Sequence, residues 1–133
     1  MLRDIRIVSL DHLVLTVASI ERTVTFYTEV LGMAARTFGD ERTALHFGAQ
    51  KFNLHEVGTV IDPHVLHATP GAADLCLLTD TPMPAVVATL HRHGVAIVDG
   101  PVRRTGARGP LESVYFYDPD ENLIEVSNQL GSA

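Results

Sequence analysis

Two short apolar stretches of this sequence each begin with a side chain able to hold a metal ion: His12 before Leu13-Val14-Leu15, and Asp74 before Leu75-Cys76-Leu77. A third such group, Glu125, stands in Leu123-Ile124-Glu125-Val126, and Asn53 and His55 alternate with Phe52 and Leu54. One imidazole with two carboxylates is a mixed nitrogen and oxygen donor set suited to a divalent ion such as Mn, Fe, Co, Ni or Zn. Three protein ligands leave positions open for water or substrate, which favours Lewis-acid work over a structural ion. His55 is either a further ligand or a solvated histidine near a strand end.

The elements that must position these groups follow from hydrophobic period. Val8 to Val17 reads as a strand, with Leu13, Leu15 and Val17 on one face and His12, Val14 and Thr16 on the other. Ser19 is an N-cap candidate for a helix whose apolar residues Val24, Tyr27, Val30 and Leu31 recur at helical spacing until Gly32. Strands over 34–38, 43–47 and 51–57 follow, separated by turn residues. The segment 60–71 has two prolines and no clear period, and reads as a connection.

The order then repeats: strand 73–79, helix 84–93 stopped by Gly94, strand 96–98, and strands 113–117 and 123–128. His12 and Asp74 stand 62 positions apart, as do the helix stops Gly32 and Gly94. The expectation is one α+β domain of two βαβββ modules forming curved sheets, with module one at 8–58, a connection at 59–71 and module two at 72–129.

Strand parity decides which side chains share a face. If each module's apolar set packs under its helix, the opposite faces carry His12, Asn53, His55, Asp74, Ser113, Tyr115 and Glu125. A quasi-twofold relation between modules would bring the metal-capable groups together. Cys76 shares the face of Asp74, where a buried thiol is usually inert packing. The stretch 100–110, with Arg103, Arg104 and Arg108 among glycines, reads as a loop that either clamps an anionic substrate or is simply solvated. Asp118-Pro119-Asp120 reads as turn chemistry.

Composition narrows the function classes. With 133 residues, 46% hydrophobic and a net charge of −6, the chain can bury a core and has no general attraction to nucleic acid or anionic membrane. No apolar run approaches the roughly 20 residues of a membrane span. A single cysteine permits no internal disulfide, and Met1 to Arg6 lacks the apolar core of a secretion signal, so the cytoplasm is the expected location.

Leu10-Asp11-His12-Leu13-Val14-Leu15-Thr16-Val17, Phe26-Tyr27-Thr28-Glu29-Val30-Leu31-Gly32-Met33 and Tyr115-Phe116-Tyr117-Asp118-Pro119-Asp120-Glu121-Asn122-Leu123-Ile124-Glu125 resemble the vicinal oxygen chelate superfamily. That group includes glyoxalase I, fosfomycin-resistance thiol transferases, bleomycin-resistance proteins and extradiol dioxygenases. The blocks Lys51-Phe52-Asn53-Leu54-His55-Glu56 and Asn122-Leu123-Ile124-Glu125-Val126-Ser127-Asn128 look most like glyoxalase-domain-containing proteins. The resemblance implies His12 and Glu125 as metal ligands and Glu125 as the base. It also implies Tyr115 and Ser113 as contacts to substrate oxygens, although Tyr115 could equally fill the sheet mouth. Asp74 stands where the family usually has a second histidine, and Asn53 where glyoxalase I has a glutamate, which makes Asn53 a substrate contact instead.

The implied function is a metal-dependent enzyme of the lactoylglutathione lyase type, acting on a small oxygen-bearing substrate or thiol adduct. The alternatives are a ligand-sequestering protein of the bleomycin-resistance type, a fosfomycin-type thiol transferase and an extradiol dioxygenase. The resemblance also implies a homodimer whose sites are shared between subunits.

Overall fold

The strands sort into two sheets, each with its own covering helix. The computed structural model describes residues 4–131; Met1 to Arg3, part of the N-terminal stretch considered above, lie outside them. Module one runs β1 (His12–Val17), α1 (Ile20–Glu29), β2 (Ala34–Phe38), β3 (Arg42–Phe47) and β4 (Gln50–Glu56). Module two runs β5 (Asp74–Leu78), α2 (Met83–Arg92), β6 (Asp99–Gly106), β7 (Gly109–Tyr117) and β8 (Leu123–Gln129). Each sheet places its first strand parallel to its last, in the orders β1-β4-β3-β2 and β5-β8-β7-β6. The two βαβββ modules inferred from the repeat are therefore present.

Local chemistry sets the boundaries. The Ser19 hydroxyl accepts from Arg22 N at 3.1 Å and caps α1, and Gly32 takes the positive φ of 69° that ends the helical segment. Leu15, Val17, Phe52 and Leu54 face the helix side and are buried, as are Val114, Phe116, Ile124 and Val126 in module two. Together with Tyr27, Leu45 and Leu90 they form one apolar cluster that spans both modules. Among the described residues no helix is long and apolar enough to cross a membrane.

Three expectations need correction. Strand β1 begins at His12, because Val8 and Leu10 are exposed and pair with no strand. Residues 96–98 are not a strand, since the chain enters the sheet only at Asp99. Most of the arginine-bearing stretch is strand: Arg103 and Arg104 lie in β6, paired antiparallel with β7, and Arg108 sits in the turn between the two. Its glycines misled the reading. Gly100 holds φ +100°, and a Cβ there would collide with the Ser113 carbonyl, so glycine serves a bulged strand lying close against its neighbour.

A buried polar contact locks the modules together. The Tyr27 hydroxyl of α1 donates to Asp118 Oδ2 at 2.7 Å, in the turn between β7 and β8. Asp118 also accepts from the backbone N–H groups of Asp120 and Asn122 and from Asn122 Nδ2, each at 2.9 Å. Burial, and then the Asp118 carboxylate, hold the Tyr27 phenol far above its usual pKa. Tyr27→Phe keeps the ring but removes a hydrogen bond to a charged group, so urea unfolding at neutral pH should show a loss of about 1.5–3 kcal/mol. The raised pKa gives the sign at high pH. The tyrosine's contribution is complete below the unfolded phenol's value of about 10 and is lost as pH rises beyond it. Stability of the wild type should therefore fall more steeply above pH of about 10 than that of Tyr27→Phe; parallel slopes would contradict the neutral, buried phenol.

Candidate functional site

The face of each sheet opposite its helix is open, and the two faces differ in chemistry. On sheet two, strand register places Cys76, Glu125, Tyr115 and Asp99 in one row across β5-β8-β7-β6. The next row holds Leu78, Ser127, Ser113 and Val102. Asp74 lies one row further the other way, opposite Leu123, exposed at the start of β5. A cavity of about 420 Å³ opens over this face, lined by Cys76, Arg104, Arg108, Leu111, Tyr115 and Glu125 among others.

Hydrogen bonds order these groups. The Ser113 and Ser127 hydroxyls, both buried, meet at 2.6 Å, and Ser127 Oγ also lies 3.4 Å from Glu125 Oε2. Arg104 Nε donates to the Tyr115 hydroxyl oxygen at 3.1 Å while its Nη2 contacts Asp99 Oδ2 at 3.1 Å. Because the guanidinium only donates, the Tyr115 proton is left to point elsewhere, toward Glu125 or a bound oxygen. Desolvation raises the Tyr115 pKa, Arg104 opposes this through its hydrogen bond, and the Glu125 charge adds to the rise. The phenol is thus a neutral donor. Burial also raises the Cys76 thiol, against a 3.3 Å contact with Ser127. A raised thiol pKa keeps it in its less nucleophilic form.

On sheet one, His12 is exposed at the start of β1, and its Nδ1 lies 2.8 Å from Asp11 Oδ2. An ionised carboxylate can only accept, so Nδ1 carries the hydrogen and Nε2 presents its lone pair when the ring is neutral. That is the orienting arrangement seen when a carboxylate supports a ligating imidazole. Asn53 lies two residues beyond the register partner of His12 on β4, just as Glu125 lies two beyond that of Asp74 on β8. The module repeat therefore pairs Asn53 with Glu125. Asn53 Oδ1 is buried with no hydrogen-bond partner. His55 Nε2 instead faces Arg42 Nη2 at 3.4 Å, so a donor already occupies that nitrogen.

The residues expected to gather thus fall into two half-sets. His12, Asn53 and His55 share the open face of sheet one, and Asp74, Ser113, Tyr115 and Glu125 that of sheet two. Among the described residues of one chain, no group of three or more His, Cys, Asp or Glu side chains is placed to hold a metal ion. The sequence marks Arg104 only as part of an anion-clamping or solvated loop, not beside Tyr115, and does not single out Ser127. Reading β6 as a strand would have exposed Arg104 by parity, and Ser127 already shared the parity of Glu125.

A family model described as the Glyoxalase/Bleomycin resistance protein/Dioxygenase superfamily matches residues 9–126. The chain is 53% identical over 118 residues, 89% of its length and 82% of the relative's, to the virulence protein STM3117 of Salmonella typhimurium. It is 46% identical over 126 residues, 95% of its length and 71% of the relative's, to the glyoxalase domain-containing protein RDO1 of Mycosarcoma maydis. Among solved structures, an integron cassette protein of V. cholerae, VCH_CASS1, superposes with a TM-score of 0.92 at 52% identity, covering 93% of this chain and 97% of that one. At the level of fold alone, a lactoylglutathione lyase from Agrobacterium tumefaciens matches with a TM-score of 0.69 at 16% identity. The antibiotic-binding protein TnmS3 from Streptomyces matches with 0.71 at 23%.

The Arg104 contact sets a measurable property of the site. Arg104→Met removes the bond that lowers the Tyr115 pKa, so the tyrosinate absorbance midpoint should move to higher pH. A Tyr117→Phe background isolates the signal, because buried Tyr27 does not titrate in the folded range. A midpoint that stays or falls would refute the contact.

Proposed function

The chain belongs to the glyoxalase/bleomycin resistance protein/dioxygenase superfamily, and from that premise we propose that it is a metal-dependent enzyme of the glyoxalase type. It acts on a small oxygen-bearing molecule or thiol adduct and works as a homodimer. One observation carries the reading: each chain offers two open half-sites of complementary donor type, His12 braced by Asp11 on one sheet and the Asp74–Glu125 pair on the other. The donor chemistry fits a divalent ion as a sum of the halves, and among the described residues of one chain no such group is assembled. His12 of one subunit, with Asp74 and Glu125 of the other, would hold the ion, and Asn53 Oδ1 is an unpartnered acceptor on the His12 side.

When bound, such an ion supplies a Lewis acid for substrate oxygens. The chain's own groups supply the rest. Glu125 is the carboxylate positioned to take and return a proton, with Ser127 beside it. Tyr115, kept neutral by desolvation and with its oxygen already accepting from Arg104, donates its proton to a substrate oxygen. Ser113 holds Ser127 in place through their 2.6 Å contact.

Metal content separates this reading from ligand sequestration. His12→Ala and Glu125→Gln should each lose most bound metal while remaining folded, since both lie outside the apolar core. With Ni, Co, Mn or Zn, Glu125→Gln should lower turnover of a hemithioacetal or related thiol adduct by about 10²–10⁴-fold. Mixing the two variants under subunit exchange should regenerate one complete site per heterodimer, because each supplies the half the other lacks. Unchanged metal stoichiometry in both variants would sink the metal site. Chelator-insensitive, stoichiometric capture of a drug without turnover would transfer the assignment to sequestration.

A further inference from the structure

The open face of sheet one is basic, with no carboxylate of its own strands turned toward it. Arg36, Arg42 and Lys51 share it with His12, His46 and His55 by strand parity. Glu56 is the one carboxylate within β1–β4, and it points to the helix side, where Oε1 accepts from Ile20 N at 3.0 Å. None of the four ion pairs among the described residues involves these three cations; one of the four, His12 with Asp11, lies at the edge of this face.

Two of these cations are held together. The Arg42 guanidinium lies 4.8 Å from the centroid of the Phe38 ring and Lys51 Nζ lies 4.0 Å from the same centroid. One aromatic ring therefore draws two positive charges into a shared neighbourhood, where each raises the cost of the other. Arg42 Nε is buried with no hydrogen-bond partner, and the acceptor its Nη2 meets is the His55 imidazole at 3.4 Å. A guanidinium so placed lacks the carboxylate or phosphate oxygens its planar donors match. The nearby imidazoles register the same field. His46 is lowered by desolvation and then by Arg36 and Lys51, and His55 by burial and then by Arg42.

We infer that Arg42 and Lys51, converging over Phe38 on the open face of sheet one, form a subsite for the oxyanion group of the substrate, a carboxylate or phosphate on a small molecule. This rests on the reading of the open faces as a substrate site and names the class of molecule that enters it. An oxyanion there accepts from Arg42 and Lys51 together and separates their charges. Its carrier would extend across the cavity toward Tyr115 and Glu125 of the facing subunit.

The test uses the full chain dialysed against chelator, so its outcome is independent of metal binding. Benzoate, phenylphosphonate and benzamide share a ring and differ in the charged group. Calorimetric titration should show binding of benzoate or phenylphosphonate that weakens at raised salt, with benzamide at least tenfold weaker. Arg42→Gln and Lys51→Met should each weaken the anion about tenfold, while Arg92→Gln, at the exposed end of α2, leaves it unchanged. Equal affinity for benzamide, absence of binding by both anions, or wild-type affinity in Arg42→Gln would overturn the subsite. So would dissociation of the dimer by Arg42→Gln and Lys51→Met with anion affinity retained, since the basic face would then serve the partner's Asp74 and Glu125. Loss of metal binding in the His12 and Glu125 variants is read separately, so either conclusion can fail alone.

Discussion

The Asp118 carboxylate joins parts of the chain that no strand pairing connects. It accepts from Tyr27 in module one and from two backbone N–H groups and a side-chain amide in its own turn. Asn122, held by that carboxylate, passes the restraint on: its Oδ1 accepts from Ala73 N at 2.8 Å, just before β5. Asp120 adds a second tie, accepting from Ala18 N and Arg22 of module one. A buried carboxylate is costly unless its lone pairs are met, and here each oxygen has two donors. The turn therefore fixes α1, β5 and β8 relative to one another, and the angle between the two open faces follows from it.

Those faces are built from the residues left over when each strand commits alternate side chains to the helix. On sheet two the polar leftovers are hydroxyls, a phenol, carboxylates and the Arg104 guanidinium. On sheet one they are arginines, a lysine, histidines and an amide. The open face of sheet one leaves Arg36, Arg42 and Lys51 without ion-pair partners, whereas on sheet two Arg104 is met by Asp99.

Relatives of this fold include a lactoylglutathione lyase and an antibiotic-binding protein. The fold accommodates both because it specifies the faces' position and not their chemistry. In this chain the discriminating positions are few. Asp74 replaces an imidazole expected from the resemblance with a carboxylate, and Asn53 replaces a carboxylate with a neutral amide. The pair exchanges donor types between the two halves while keeping an oxygen or nitrogen donor at each.

By itself the sequence determined the two-module architecture, because hydrophobic alternation and helix stops are local and the repeat at a spacing of 62 doubled each signal. It also determined which residues share a face, since parity is a property of a single strand once its register is set. His12, Asn53, Asp74, Tyr115 and Glu125 were all legible in that way. The tertiary structure decided what lies between sheets. It placed His12, Asn53 and His55 on one sheet and Asp74, Tyr115 and Glu125 on the other. It put Arg103 and Arg104 in β6 and gave Arg104 its partner Tyr115, because glycine marks both turns and close strand contacts and sequence does not distinguish them. It also disclosed that Arg42 and Lys51 meet over Phe38, a contact among three strands that depends on side-chain reach across the sheet and leaves no local period to read.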